Sequence, residues 1–187
     1  MKTWEGLHEN TNNIYQTNVL INYFIIIVVI GKQYQIRFTP GENAFAVNDK
    51  NTDLIHVMED NGQQDFFLQT SFILREGLCG DNDYISIESK LYPGKFWRHS
   101  GYIILLHDED SSDIFKQDSC FKIMKHRCNN NDESQSVTFE SRNYPGHFIT
   151  KCGDQMRIST DADNCGSVDN KCWALDESHT GNYDSNI

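Results

Sequence analysis

Residues 85–121 read ISIESKLYPGKFWRHSGYIILLHDEDSSDIFKQDSCF, and residues 137–173 read VTFESRNYPGHFITKCGDQMRISTDADNCGSVDNKCW. A single shift of 52 positions lays Glu88-Ser89 on Glu140-Ser141, Tyr92-Pro93-Gly94 on Tyr144-Pro145-Gly146, and Phe96 on Phe148. The same shift carries Asp118 to Asn170, Cys120 to Cys172 and Phe121 to Trp173, with no gap. A fixed internal period decides the architecture before any local pattern does, because each copy is one structural unit that buries its apolar face against its neighbours.

The preceding third of the chain reads as a worn copy. Residues 43–48 lie on 94–99 with a shift of 51, placing Phe45 on Phe96, and residues 67–71 lie on 115–119 with a shift of 48. On that alignment the places of His99 and Asp118 fall to Asn48 and Thr70 in the first copy, and to Lys151 and Asn170 in the third.

Within each copy, short apolar runs are cut by Gly, Asn and Asp, the composition of strands four to six residues long. Strands are expected at 34–38, 45–47, 54–57, 66–68, 72–74, 84–87, 96–97, 102–106, 121–124, 137–139, 148–150, 156–158 and 172–175. No stretch carries a sustained helical period. Three copies of about fifty residues with four strands each predict an all-β β-trefoil, a barrel capped by hairpins, with a two-repeat sandwich as the competing arrangement. The trefoil occupies 31–177, preceded by a polar leader and apolar segment (1–30) and followed by a polar tail (178–187). The apolar run VLINYFIIIVVI at 19–30 reads equally as an atypical signal or anchor and as a buried strand. It is shorter than the roughly 20 residues of a membrane span, and a basic leader and small-residue cleavage site are missing. Membrane association is left open.

The formal charge is −11 and the pI about 4.9, which argues against a nucleic-acid surface. Six cysteines (79, 120, 128, 152, 165 and 172) form an even set without a Cys-x-x-Cys pair. That pattern favours disulfides and a secreted protein over zinc, although no Asn-x-Ser/Thr glycosylation signal is present. Cys120 and Cys172 hold equivalent places in two copies and are not expected to pair. Cys152 and Cys165, flanking a short strand and loop, are the favoured bridge, and the pairing of Cys79, Cys120, Cys128 and Cys172 stays open.

Tyr92-Pro93-Gly94-Lys95-Phe96-Trp97-Arg98-His99, followed after a strand pair by Asp118-Ser119-Cys120-Phe121, resembles the AbfB domain of α-L-arabinofuranosidases, carbohydrate-binding module family 42. The resemblance covers about residues 32–177 and implies a β-trefoil with one potential sugar pocket per repeat. That family's repeats carry Tyr-Pro-Gly-x-Tyr-x-Arg-His and then Asp-Ala-Thr-Phe, and their His and Asp hold arabinofuranose hydroxyls. Carried over, the resemblance assigns those roles to His99 and Asp118, with Tyr92 or Tyr102 offering an aromatic face or a phenol. A carboxylate accepts two hydroxyl protons in fixed directions and an imidazole nitrogen adds a third oriented bond. Only the middle copy keeps both residues, so one intact pocket is expected.

The remaining features have structural readings. Tyr-Pro-Gly is turn chemistry, Glu88 and Glu140 are expected to bond backbone or Arg groups near it, and Arg98 could pair with Glu88. Trp97 is expected to be packed, since the copies have no aromatic there. The acidic run 107–113 lacks the spacing of a calcium loop. No carboxylate pair or nucleophile motif singles itself out, so an enzyme is not expected. The sequence therefore reads as a monomeric, non-catalytic, lectin-like module for arabinofuranose or a similar neutral sugar, without metal or cofactor. The alternatives are a trefoil kept for protein interaction or structure and, less favoured, a domain tied to arabinofuranosidase activity. Replacing His99 and Asp118 by Ala is expected to abolish binding and leave thermal stability nearly unchanged.

Overall fold

The computed structural model describes residues 16–21, 24–39, 43–49, 51–63, 65–125, 136–163, 165 and 167–177. The expectations for the first 15 residues and the 178–187 tail lie outside them. Fourteen strands run in chain order among these residues. The first two, β1 (Gln16–Ile21) and β2 (Phe24–Val29), pair antiparallel as a separate two-stranded sheet with Ile21 opposite Phe24. The apolar run 19–30 thus holds the end of one strand and all of the next, and Val28 joins the main core. No helix among the described residues is long and apolar enough to cross a membrane.

The other twelve strands fall into three sets of four. The first is β3 (Gln33–Phe38), β4 (Ala44–Asn48), β5 (Ile55–Glu59) and β6 (Ser71–Glu76). The second is β7 (Ile85–Ser89), β8 (Lys95–Ser100), β9 (Ile103–Asp108) and β10 (Phe121–Lys125). The third is β11 (Ser136–Ser141), β12 (Phe148–Cys152), β13 (Gln155–Ser159) and β14 (Trp173–Glu177). The outer strands of each set close a ring: β3 pairs β6, then β7, β10, β11 and β14 follow in turn, and β14 returns to β3. Closure leaves no free edge in this ring of strands, which removes the usual template for aggregation there. The inner pairs form hairpins β4–β5, β8–β9 and β12–β13. These meet one another through Leu54–Leu105, Gln155–His56 and Arg157–Ile103 bridges. A six-stranded barrel with a triplet of hairpins is a β-trefoil, and a sandwich has no place for three equivalent hairpins.

The core repeats with the same symmetry. Alternation along a strand sends every second side chain inward, and the fully buried residues Ile36, Ile87 and Phe139 stand at matching places in β3, β7 and β11. Phe72, Phe121 and Trp173 match at the head of each fourth strand and are fully buried. Trp97 is completely buried where the other copies have Ala46 and Ile149, and it meets Phe72 edge-on at 4.8 Å. Burying side chains of this size stabilises by about 1.5–3 kcal/mol each.

Each repeat returns from hairpin to barrel through a short helical turn: α1 (Phe66–Gln69), α2 (Asp113–Asp118) and a 3-10 turn (Val168–Lys171). The strand expected at 66–68 is therefore a helix. Its single turn gives no 3.6-residue period to read, and its buried residue is Phe66 alone. Cys79 is bonded to Cys120 and Cys152 to Cys165. Cys172 also lies in a disulfide.

The helical turns also correct the alignment of the worn first copy. Thr70 and Ser119 each cap their helix with the same backbone conformation, and each hydroxyl donates to the carbonyl four residues earlier, at Phe66 and Phe115. The backbone N–H groups of Lys90 and Arg142 reach the carbonyls of Ser71 and Cys120 in the same way. Ser119 is thus the counterpart of Thr70, and the counterpart of Asp118 in the first copy is Gln69. The true shift is one residue longer than the residue likeness at 67–71 implies.

Candidate functional site

β8 positions two functional side chains. Its alternation buries Trp97 and His99 while Arg98 lies half-buried between them. α2 positions the carboxylate. Ser112 caps this helix by accepting the Phe115 N–H at 3.1 Å, Phe115 is buried beneath it, and Asp118 ends it. His99 is 4% exposed and Asp118 7%.

The two are joined by a residue from the next repeat. Asn143, in the loop after β11, donates its side-chain N–H to Asp118 Oδ1 at 2.7 Å. Its carbonyl oxygen faces His99 Nε2 at 2.7 Å and accepts the Ser141 hydroxyl at 3.1 Å. One amide orientation satisfies all three contacts, so Nε2 of His99 carries the proton and donates it. Nε2 also lies 3.5 Å from Asp118 Oδ1. The other carboxylate oxygen accepts from Arg98 Nη2 at 2.8 Å, and the Arg98 guanidinium stacks over the Phe115 ring at 5.4 Å. The expected Arg98–Glu88 pair does not form, because Arg98 is committed to Asp118.

Burial holds the His99 imidazole below its ordinary pKa, with help from the charges of Arg98 and His147. The Asn143 hydrogen bond and the Asp118 charge oppose this without overcoming it. A neutral ring protonated at Nε2 leaves the Nδ1 lone pair as an acceptor. Asp118 uses one lone pair on each oxygen within the protein, and each oxygen keeps another. The cluster is therefore a fixed set of acceptors suited to hydroxyl donors.

Aromatic rings border it. Tyr144 meets His99 edge-on at 5.2 Å, Tyr102 meets Tyr144 at 5.6 Å, and His147 contacts both tyrosines at 5.6 and 5.8 Å. Of the two tyrosines expected at the pocket, Tyr102 belongs to this group. Tyr92 is half-buried against the main core, and its counterpart Tyr144 is the one beside His99. Asn143 and Tyr144 are thus the members of this cluster that sequence reasoning missed. Their signal was present in the third copy's Asn-Tyr-Pro-Gly, but a copy-by-copy reading assigns it to the wrong repeat's cluster.

The turns beside the site are built as expected. Glu88 Oε1 accepts the Gly94 N–H at 2.8 Å and its Oε2 accepts Arg75 at 2.6 Å, while Glu140 Oε1 accepts the Gly146 N–H at 2.8 Å. Both glycines have positive φ, +86° and +80°, which an L side chain adopts at a cost. The counterpart positions elsewhere hold no carboxylate. Asn48 is fully buried and donates to the Gln69 carbonyl at 2.7 Å, Gln69 folds back on Asp65, and Leu91 stands where the middle site has Asn143. In the third copy Lys151 lies over the Phe38 ring and Asn170 donates to the Cys165 carbonyl at 3.1 Å.

The sequence over residues 41–180 matches the family model for the alpha-L-arabinofuranosidase B (ABFB) domain. The chain belongs to this family. ABFB domains are carbohydrate-binding accessory domains, and the fold described above is shared with solved structures. An arabinofuranosidase complexed with arabinofuranosyl-alpha-1,2-xylobiose superposes with a TM-score of 0.69 at 15% identity, over 87% of this chain and 32% of that one. A GH54 a-l-arabinofuranosidase soaked with a cyclic sulfate inhibitor gives 0.68 at 15% identity, over 87% and 32%. The Polyporus squamosus lectin, bound to Neu5Aca2-6Galb1-4GlcNAc, gives 0.56 at 13% identity, over 78% and 49%. This ABFB chain spans about a third of the length of the arabinofuranosidases it matches. No curated protein sequence matches it.

Proposed function

We propose that this ABFB chain is a non-catalytic, extracellular sugar-binding module with one working pocket, formed by His99, Asp118, Asn143 and Tyr144, for a terminal arabinofuranose or a similar neutral sugar. The observation that carries the reading is the Asn143 bridge. It holds a buried carboxylate and a neutral imidazole in one network and leaves lone pairs on both, as a ligand rich in hydroxyl donors requires. Tyr144 supplies the apolar edge for the ring carbons of the sugar. The disulfides suit an oxidising compartment.

Isothermal titration of the chain with methyl α-L-arabinofuranoside tests this. Binding is expected at one site, and His99→Ala should remove it. A wild-type chain that binds no arabinofuranoside, and no other neutral glycoside on a glycan array, would leave the second reading, a trefoil kept for protein interaction. That reading draws on the first and third pocket positions, where Asn48 with Gln69 and Lys151 with Asn170 replace the histidine–carboxylate pair.

A further inference from the structure

Tyr102 stands out for its backbone. The hairpin β8–β9 turns through two residues, Gly101 at φ +56° and Tyr102 at φ +69°. Two successive positive φ values make a type I′ turn, whose second place is the natural home of Gly or Asn. A tyrosine there is held in the left-handed region, where its Cβ crowds the backbone, and such outliers gather at ligand sites. Core packing does not explain the choice, since Tyr102 is 46% exposed and Tyr144 beside it 40%. The strain presents an aromatic ring to solvent.

The ring is also held in place. His147 lies behind it, stacked at 5.8 Å with planes 27° apart, and Tyr144 braces it edge-on at 5.6 Å. Tyr144 in turn touches His99. The four rings form one continuous band, running from the buried imidazole of the pocket out to the exposed phenol of Tyr102. A fixed, exposed aromatic next to a pocket of hydroxyl acceptors is what a sugar ring stacks on through its C–H face, and a tyrosine gives up little conformational freedom in doing so.

We infer that Tyr102, backed by His147, is a second subsite that stacks the sugar residue to which the pocket's terminal sugar is linked, so that this chain recognises a disaccharide unit in preference to a monosaccharide. The inference rests on the pocket proposed above. It adds a specificity-determining residue outside the hydrogen-bonded cluster, contributed by the hairpin turn of the middle repeat and supported by the Tyr-Pro-Gly loop of the third.

Titration with two probes separates the inference from the pocket it rests on: methyl α-L-arabinofuranoside, which fills the pocket alone, and α-1,5-linked arabinobiose, which extends past it. The wild-type chain should bind the disaccharide about tenfold more tightly, the scale of one aromatic contact. Tyr102→Asn should erase that advantage, so that the disaccharide binds no more tightly than the monosaccharide. Because Asn suits the turn, this variant should fold and melt no lower than wild type, apart from the ring contacts it gives up. Equal wild-type affinity for both probes would overturn the second subsite and leave the pocket standing. A Tyr102→Asn chain that loses affinity for both probes equally would place Tyr102 in the pocket itself and also overturn it. Failure of the wild type to bind either probe would remove the pocket and the subsite together.

Discussion

Asp118→Ala tests whether the site is a separable pocket or part of what holds the domain together. The sequence expectation was that His99 and Asp118 can be removed at little cost in stability. The geometry argues otherwise for Asp118. Its carboxylate pairs with Arg98 Nη2 at 2.8 Å, the two side chains are only 10% and 16% exposed, and the buried Arg98 Nε makes no hydrogen bond. Truncating one member of a buried pair leaves the other charge uncompensated, at a cost of about 3–5 kcal/mol. Water still reaches the rim at Asn143, so the lower end, about 3 kcal/mol, is expected. For a chain of this length each kcal/mol moves Tm by about 2–4 °C, so Tm should fall by about 6–12 °C. Chemical denaturation of Asp118→Ala, Arg98→Met and the double variant forms a cycle that isolates the pair. The double variant should be more stable than the sum of the two single losses, by about 2 kcal/mol, because Met replaces the stranded guanidinium with an apolar chain over Phe115. A single-variant loss below about 0.5 kcal/mol, the ordinary surface range, or a coupling near zero, would refute the reasoning.

Two further predictions follow from the same geometry. The folded-state pKa of His99 lies below the ordinary value of about 6.5, so above that pH neither folded nor unfolded chain holds the proton and stability is unaffected. As pH falls below about 6.5 the unfolded chain takes up a proton that the folded chain refuses, so stability should decline until the folded pKa is reached; melting curves between pH 7.5 and 5 should show this slope flattened in His99→Gln. In the chain-entropy account, a closed loop with a sequence separation of 41 is worth about 4 kcal/mol and one of 13 about 3 kcal/mol, so Cys79→Ser with Cys120→Ser should lower the denaturation midpoint more than Cys152→Ser with Cys165→Ser.

The fold was legible because its period is written in residues with strict backbone duties. Gly94 and Gly146 need positive φ, Glu88 and Glu140 close their turns, and Phe121 and Trp173 fill matching core places. Each constraint is local, so each survives in sequence. The first copy was misaligned by one residue at Thr70 because the helical turn there shares little with α2 except a hydroxyl that bonds back to the carbonyl four residues earlier. That likeness is conformational and does not mark residue type. That His99 and Asp118 lie together could be read because both stand in one repeat. Asn143 and Tyr144 were missed because barrel closure, which no local pattern reports, brings the third repeat's loop to the second repeat's hairpin.

That placement accounts for which parts of the repeats carry the proposed pocket's residues. A pocket at the seam needs the hairpin and helix of one repeat and the Tyr-Pro-Gly loop of the next. The proposed middle pocket therefore draws on the back of the second copy, with His99 and Asp118, and on the front of the third, with Asn143 and Tyr144. Those are the two halves where the full set stands. The back of the third copy, which would build a pocket against the first, has Lys151 and Asn170 in place of the pair. The front of the second copy, which would complete the pocket of Asn48 and Gln69, has Leu91 in place of Asn143. Tyr92-Pro93-Gly94 remains there, and Glu88 still holds the Gly94 N–H, because the turn is needed whether or not a pocket uses it. A repeat compared only with its copies looks half-degenerate. Paired across the seam, the halves that serve the middle site are complete and the halves that would serve the other two are not. The turn motif accordingly marks the fold in every copy that has it, and the asparagine ahead of it marks the proposed pocket.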